Sequence, residues 1–201
     1  MAESALGPRA DRLAAGSVPG AVTLTEVPFL AKIGLRGDPA DARFRDGVRS
    51  ALELDLALEP NTFTRRDALR CLWLGPDEWL VVGPAGAAAE LSGRLEAALQ
   101  SRHVAIVDLS AASATFELRG ERAREVLAKA CSLDLHPRVF GPGRCAQSNF
   151  ARTQGILTLE DDAPRFRLFV RRSFALYLAD WLLDAMREYH AGAAGARGCP
   201  R

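Results

Sequence analysis

The chain has 201 residues, of which 48% are apolar and 25% are charged, and its formal net charge at pH 7 is +1. This length accommodates one large domain or two small ones with a sizeable core. The near-balance of charge argues against a dedicated nucleic-acid-binding protein, which usually has a basic excess, and the apolar content argues against a disordered chain.

The first segment, residues 1–22, mixes Gly, Pro, Arg and Ala without apolar periodicity, and we predict an N-terminal arm with a short helix at about 10–15. Such an arm gains little by folding on itself, so we expect it to be mobile or to lie on a partner. It lacks the apolar stretch of a signal peptide, and no stretch has the length of a membrane span. Together with four scattered cysteines, this predicts a cytoplasmic protein with reduced thiols.

A repeated pattern of elements fills the main domain, at about 23–190. Each copy begins with a strand that ends in Leu-Arg-Gly, continues with an amphipathic helix and reaches the sequence Leu-Asp-Leu. The first copy, at about 27–102, has Leu35-Arg36-Gly37 and Leu54-Asp55-Leu56, and the second, at about 103–190, has Leu118-Arg119-Gly120 and Leu133-Asp134-Leu135.

The second half of each copy is a hairpin followed by a helix. The hairpins pair 70–74 with 79–82 and 155–159 with 166–171, and the strand at 103–109 joins the copies. We predict that Ser173 caps the last helix, whose buried stripe comprises Phe174, Leu178, Trp181, Leu182, Ala185 and Tyr189. Helices on one face of a mainly antiparallel sheet indicate an α+β fold of two tandem related units. The Gly/Ala-rich tail, 191–201, is predicted to be disordered.

Motifs of common active sites are absent from the sequence. There is no P-loop and no G-x-G-x-x-G after a strand, and no G-x-S-x-G elbow. Asp108 could supply an acid near Ser110, but a role in turning the chain fits these residues better. The acids at 77–78 and 161–162 fall in hairpin turns, where carboxylates are usually solvated. We therefore predict no catalytic and no cofactor-binding residue.

A metal site is disfavoured for lack of ligands. Cys131, His136 and Cys145 are close in sequence, but a closed zinc site needs four ligands, usually in tight pairs. The alternative is a buried cysteine at a helix end, a loop histidine and a strand cysteine. We predict no metal site.

The loop at 135–144 is the best candidate for a contact with another protein, because it combines apolar, aromatic and Arg residues. Its candidate contact residues are His136, Arg138, Phe140 and Arg144. The alternative is a crossover loop that packs its own Phe140 inward, and the sequence leaves both interpretations open.

Several of these segments together resemble the gamma subunit of heterotetrameric sarcosine oxidase. The matching residues are Val107-Asp108-Leu109-Ser110-Ala111, Leu118-Arg119-Gly120, Ala123 to Lys129, Leu133 to Arg138 with Phe140, Gly143 to Gln147, and Trp73 to Leu80. The resemblance extends from about Val27 to Tyr189, leaving the arm and the tail uncovered.

The resemblance implies a fold similar to the folate-binding domain of the glycine-cleavage T-protein. It also implies a complex of alpha, beta, gamma and delta chains that converts sarcosine to glycine, hydrogen peroxide and methylenetetrahydrofolate. FAD, FMN, NAD, tetrahydrofolate and zinc are expected in the alpha, beta and delta partner chains and none in this one. The family's gamma chain carries no known catalytic residue, so the implied role is structural, with no nucleic-acid or membrane partner.

Two alternatives remain. One is the equivalent subunit of a related complex such as N-methylglutamate dehydrogenase, because substrate choice would lie in the beta chain. The other is a free-standing folate-binding protein of the T-protein fold, which would need a buried acid and an open pocket.

Overall fold

The computed structural model describes residues 4–100 and 103–195 of the chain. These residues form the following helices and strands in chain order: α1 Ala10–Gly16, β1 Thr23–Glu26, β2 Leu30–Arg36, α2 Ala42–Leu52, β3 Phe63–Arg66, β4 Leu69–Gly75, β5 Glu78–Ala85, α3 Ala88–Ala98, β6 Ala105–Asp108, β7 Ser113–Arg119, α4 Ala123–Ala130, β8 Cys145–Phe150, β9 Thr153–Leu159, β10 Arg165–Arg171 and α5 Ala175–Gly195. None of the described helices combines the length and the apolar character that crossing a bilayer requires.

The described residues divide into two compact units, each with a five-stranded sheet. The first unit comprises residues 28–113 and 143–146, and the second unit comprises 4–27, 114–142 and 147–195. The strand order is β3-β4-β5-β2-β6 in the first sheet and β8-β9-β10-β7-β1 in the second. Corresponding strands of the two repeats occupy corresponding places, so the fold is two related α+β units, as the repeated pattern predicts.

The edge strands come from unexpected parts of the chain. Strand β1 precedes β2 but pairs antiparallel with β7, and Thr23 lies opposite Arg119. Strand β6 precedes β7 but pairs antiparallel with β2, and Ile33 lies opposite Asp108. The edge strand of the first unit, β6, lies in the second repeat, and the edge strand of the second unit, β1, precedes the first repeat. The observed units therefore do not divide at the predicted boundary of about 102–103.

In the first unit, helices α2 and α3 cover one face of the sheet. The Asp41 carboxylate caps α2 by accepting the backbone N–H of Arg43 at 2.9 Å. The buried Phe44 ring of α2 lies 5.8 Å from the Trp79 ring of β5, and the Trp79 Nε1–H donates to the carbonyl of Ala57 at 2.7 Å. The apolar stripe of α2 and the inward residues of β2 and β5 therefore form one core.

In the second unit, α4 and α5 pack together, and polar contacts join them at the surface. The Lys129 ammonium donates to Glu188 at 2.5 Å and to the carbonyl of Ala185 at 2.7 Å, and the Tyr189 hydroxyl donates to Glu125 at 3.1 Å. Beneath them, α5 buries Leu178, Leu182 and Met186. Leu178 and Leu182 belong to the predicted stripe, whereas Met186 does not. The predicted members Trp181, Ala185 and Tyr189 are only half-buried.

The glycine of each Leu-Arg-Gly sequence is needed for a different reason. A Cβ atom on Gly37 would lie 2.4 Å from the Phe44 ring. Gly120 has a φ of +122°, and a Cβ atom there would lie 2.3 Å from the carbonyl oxygen of Ala21. Gly37 leaves room for the Phe44 side chain of α2, whereas Gly120 leaves room for the backbone at Ala21, just before β1.

The sequence analysis predicts a separate N-terminal arm, but the structure packs the described part of this segment into the second unit. Leu6 and Leu13 are buried, and α1 packs against β1 and α5. The Glu26 carboxylate accepts the backbone N–H groups of Ala5 at 3.0 Å and Leu6 at 3.1 Å. The predicted short helix is α1, but this segment gains its stability from contacts distant in sequence, which composition does not reveal.

The C-terminal helix differs from its prediction at both ends. A 3-10 turn spans Arg172–Phe174 and α5 begins at Ala175, so the predicted cap at Ser173 is wrong because Ser173 lies inside the turn. At the other end α5 continues to Gly195. Residues 191–195 are therefore helical and not part of a disordered tail, while 196–201 lie outside the described residues.

Candidate partner-docking surfaces

The candidate metal ligands serve in local contacts. The buried Cys145 Sγ lies 3.1 Å from the carbonyl oxygen of Thr62, and burial raises the pKa of this thiol to about 12. Cys131 Sγ lies 3.4 Å from the carbonyl oxygen of Leu127. Across residues 4–100 and 103–195, no group of three or more His, Cys, Asp or Glu side chains is placed to hold a metal ion. Cys199 lies outside the described residues.

Asp108 and Ser110 form the chain turn that follows β6. The Ser110 backbone N–H donates to the Asp108 carboxylate at 2.8 Å, and the Ser110 hydroxyl accepts the Lys32 backbone N–H at 3.0 Å. The hydrogen bonds from the Ser110 side chain and backbone lower the pKa of Asp108. These hydrogen bonds engage both residues in turning the chain, which is the role that the sequence favoured for them.

The loop at 134–140 is fixed by its own hydrogen bonds. The Asp134 carboxylate accepts the His136 backbone N–H at 2.9 Å. The His136 carbonyl in turn accepts the backbone N–H groups of Val139 and Phe140, both at 2.9 Å. These bonds close a tight turn that leaves His136, Arg138 and Val139 exposed to solvent.

The side chain of Arg124 on α4 is hydrogen-bonded to the backbone of this loop. Its guanidinium donates to the carbonyl oxygens of Leu135 and of Phe140, the latter at 3.1 Å. The same guanidinium lies over the Phe166 ring, 5.3 Å from its centroid. Arg124 therefore fixes both ends of the loop and orders its exposed tip.

The four candidate contact residues are divided between the two units. His136 and Arg138 lie together on the loop of the second unit. Phe140 is 6% exposed and stacks on Phe166 with ring centroids 6.4 Å apart, so it packs inward and presents no side chain to a partner, contrary to the predicted contact. Arg144 belongs to the first unit and pairs with Glu59 at 3.2 Å. A partner contact by His136, Arg138 and Arg144 remains a prediction.

A second exposed surface, which sequence reasoning missed, lies where β10 meets α5. We call it the arginine–aromatic patch; its residues are Arg171, Arg172, Phe174, Leu176 and Tyr177. Phe174 is 41% exposed, although the helical period assigned it to the buried stripe. It lies in the 3-10 turn, where the period of the α-helix does not apply. The sequence signal was the cluster of Arg and large apolar residues just before and after the start of the helix.

A third exposed surface is the edge strand β6 of the first unit. Val107 is 50% exposed, and Leu109, just after the strand, is 38% exposed. On its inner side β6 pairs with β2, and among the strands of residues 4–100 and 103–195 none lies beyond it in the sheet. The sequence predicted a strand here, but the pairing that leaves these side chains exposed is decided by distant residues.

Comparison with protein families identifies relatives over most of the chain. Residues 36–188 match the model of the sarcosine oxidase gamma subunit family. The chain is 34% identical over 183 residues to sarcosine oxidase subunit gamma of Corynebacterium sp. (strain P-1), covering 90% of this chain and 87% of that protein. It is 35% identical over 181 residues to the Arthrobacter sp. protein of the same name, with the same coverage of each.

Solved structures give the same result for the fold. A chain of the heterotetrameric sarcosine oxidase from Corynebacterium sp. U-96, solved in complex with pyrrole 2-carboxylate, superposes with a TM-score of 0.87 at 32% identity, covering 94% of this chain and 96% of that one. The glycine cleavage system aminomethyltransferase T from Bartonella henselae superposes with a TM-score of 0.63 at 18% identity, covering 82% of this chain and 46% of that one. The second match shows a shared fold alone.

Proposed function

The chain belongs to the sarcosine oxidase gamma subunit family, and we propose that it is the non-catalytic, structural gamma subunit of a heterotetrameric sarcosine oxidase. The observation that carries the proposal is the superposition on one chain of such an enzyme, which covers nearly the whole of both chains. The complex would convert sarcosine, oxygen and tetrahydrofolate to glycine, hydrogen peroxide and methylenetetrahydrofolate.

The chemistry of the described side chains supports a structural role. Asp108 and Ser110 bond to each other and to the backbone of β2. The Cys145 thiol is buried and its raised pKa keeps it protonated, whereas a nucleophilic cysteine needs its thiolate form. Groups that could take part in catalysis are thus engaged in holding the fold, which suits a chain that docks on catalytic subunits.

The partners and cofactors follow from the same proposal. We assign FAD, FMN, NAD, tetrahydrofolate and zinc to the alpha, beta and delta chains, and to this chain the task of binding those chains through its exposed surfaces. The cytoplasm is the proposed location, and fractionation of the source cells tests it.

The test is co-expression of a tagged copy of this chain with the alpha, beta and delta chains of its own oxidase, followed by affinity purification. We expect a yellow complex with flavin absorption that produces hydrogen peroxide from sarcosine. N-methylglutamate is the matched alternative substrate, and faster oxidation of it would assign the chain to the related dehydrogenase. Recovery of this chain alone and colourless would overturn the proposal.

A free-standing folate-binding protein is tested with the same material. If the purified chain by itself binds tetrahydrofolate in isothermal titration calorimetry, it has a ligand site of its own. We expect no binding, because the folate-binding function rests only on a shared fold, and a fold hosts many functions.

A further inference from the structure

The outer edge of β6 in the first unit presents backbone groups that have no partner in the described chain. The Leu109 N–H donates to the Lys32 carbonyl of β2 at 2.8 Å, which fixes the alternation of the antiparallel ladder. Residues 105 and 107 therefore bond inward to β2, and the N–H and C=O groups of Ile106 and Asp108 point outward. Within residues 4–100 and 103–195, no hydrogen bond reaches those outward groups.

The internal repeat supplies a control, because the equivalent edge of the second unit is satisfied within the chain. Ile106 lies opposite Leu35 of the first Leu-Arg-Gly sequence. Leu24 of β1 lies opposite the corresponding Leu118. The backbone N–H of Leu24 donates to the Ser17 hydroxyl at 3.0 Å, and the same hydroxyl lies 3.5 Å from the Leu24 carbonyl oxygen. The second unit therefore closes this edge position with its own residue just after α1, whereas the first unit leaves it open.

Apolar side chains line the same edge, and their positions show that they are neighbours. Val107 and Leu109 are two residues apart, so they lie on one face of the strand, and they are 50% and 38% exposed. Gly34 of β2 lies opposite Val107, and a Cβ atom on Gly34 would lie 3.1 Å from Leu109 Cδ1. The Leu109 side chain therefore lies against the sheet at the place where Val107 pairs. Unpaired backbone groups beside exposed apolar side chains are what strand addition uses, the first for affinity and the second for specificity.

The chain around this edge is held in place before any partner binds. The Ser110 hydroxyl accepts the Lys32 backbone N–H at 3.0 Å, and the Ser110 N–H donates to the Asp108 carboxylate at 2.8 Å. The Lys32 residue is 2% exposed, and its ammonium donates to the Ser113 carbonyl at 2.8 Å. A preorganised edge loses little conformational entropy on binding, so its hydrogen bonds contribute more of their energy to affinity.

We propose that β6 accepts an extended strand of another subunit, which continues the sheet of the first unit beyond its edge. The inference rests on the proposed function and names a surface through which the chain joins its complex. The added strand bonds through its backbone to Ile106 and Asp108, and it places apolar side chains against Val107 and Leu109.

A strand of a different subunit fits this edge better than a second copy of the chain. Strand β6 has four residues, and pairing with its own copy about Val107 would use only the backbone groups of Ile106 and Asp108 from each chain. Two exposed apolar side chains beside so short a ladder bury far less than the roughly 1,000 Å² that a stable dimer needs. A strand that belongs to a larger subunit interface does not have this limit, and the proposed complex is a tetramer of different chains.

The first test is residue-resolved hydrogen exchange of the complete four-chain complex and of the full chain alone. In the complex, we expect the N–H groups of Ile106 and Asp108 to exchange about 100-fold more slowly than in the chain alone. The N–H of Val107, bonded to β2, and the N–H of Leu24, bonded to Ser17, should be protected in both and serve as references. A change confined to the two outward groups distinguishes strand pairing from a general tightening of the unit.

The second test blocks the edge with Val107→Lys, because a lysine on an edge strand opposes the addition of a further strand. We expect the dissociation constant of this chain from the complex, measured by mass photometry on dilution, to rise about 30-fold, the effect of a hot-spot residue. The matched control is Leu58→Lys, at a residue of the same unit that is 55% exposed, and its dissociation constant should stay within about twofold of the original. Circular dichroism checks that both variants fold.

Equal exchange of the Ile106 and Asp108 N–H groups in the complex and in the chain alone would overturn the proposal while leaving the proposed function intact. Equal weakening by Val107→Lys and Leu58→Lys would also overturn it. Protection of the two N–H groups in the chain alone, together with a dimer in analytical ultracentrifugation, would replace the partner strand by a second copy. Failure of the original chain to join the complex would overturn both the proposal and the proposed function.

Discussion

The two units have the same strand order, but the edge strand β1 is covered by a helix and the edge strand β6 is exposed. In the second unit, α1 lies against β1, and the Ser17 hydroxyl accepts the backbone N–H of Leu24 at 3.0 Å. In the first unit, no described residue extends the sheet beyond β6, and Val107 beside it is half exposed. An exposed edge strand readily pairs with another chain, so proteins usually cover or block it.

This difference separates what the fold requires from what it does not. Features found in both units, such as the Leu-Arg-Gly turn and the amphipathic first helix, are needed to build an α+β unit. Features found in one unit alone, such as α1 or the arginine–aromatic patch, need another explanation. Substitutions made in pairs, one in each unit, test this division.

The largest effect is expected at the paired glycines. Gly120→Ala combines an unfavourable positive φ with a backbone clash against Ala21, so it should lower the free energy of unfolding by about 4 kcal/mol. Gly37→Ala meets only the Phe44 ring, which can shift, and should cost about 2 kcal/mol. Urea denaturation measures both.

The control for this pair is Gly93→Ala, because Gly93 lies inside α3 and a Cβ atom there meets nothing within 4 Å. Alanine has the higher helix propensity, so we expect a gain of about 0.5–1 kcal/mol. Equal losses at Gly37 and Gly120 would show that the two turns are under the same constraint and would weaken the comparison.

The next effect concerns the cover of the edge strand. Leu13 of α1 is 4% exposed, so Leu13→Ala should cost about 2–4 kcal/mol. Val107→Ala, on the uncovered edge of the first unit, should change stability by less than about 0.5 kcal/mol in the isolated chain. If thermal unfolding shows no loss for Leu13→Ala, α1 is not an integral part of the second unit.

A smaller effect is expected from Arg124, which holds the loop at 134–140. Arg124→Met removes the donors to two loop carbonyls and should cost about 1–3 kcal/mol. It should also speed hydrogen exchange of the backbone N–H groups of Val139 and Phe140. Arg43→Met, at an exposed position of α2, is the control and should leave exchange in the loop unchanged. Unchanged exchange in both variants would show that the loop orders itself.

The smallest effect is a dependence on pH at the turn after β6. The pKa of Asp108 is lower in the folded state than in the unfolded state because of its hydrogen bonds with Ser110. Its contribution to stability is therefore present above the unfolded pKa and is lost as the pH falls through the folded pKa. The difference in unfolding free energy between Asp108→Asn and the original chain should shrink from pH 7 towards pH 3. A constant difference would show that the carboxylate charge has no role.

Much of the fold could be predicted because its signals are local. The apolar period of α2 and the turn residues at 75–78 indicate their elements within a few residues. The strands β1 and β3 were missed because each has only one apolar residue, Leu24 and Phe63. The equally short β6 was predicted because it contains an apolar run, 105–107. Phe174 was misassigned because a 3-10 turn interrupts the helical period just before α5. Phe140 could not be assigned because the ring it packs against, Phe166, is distant in sequence.

The sequence by itself determined the duplication, the α+β class and the family, because repeated signatures and helical periods are properties of neighbouring residues. Only the tertiary structure decided that β1 pairs with β7 and that β6 pairs with β2. It alone also decided that Phe140 is buried while Phe174 and Val107 are exposed. Those outcomes depend on hydrogen bonds and packing between residues far apart in the chain, and no local pattern records them.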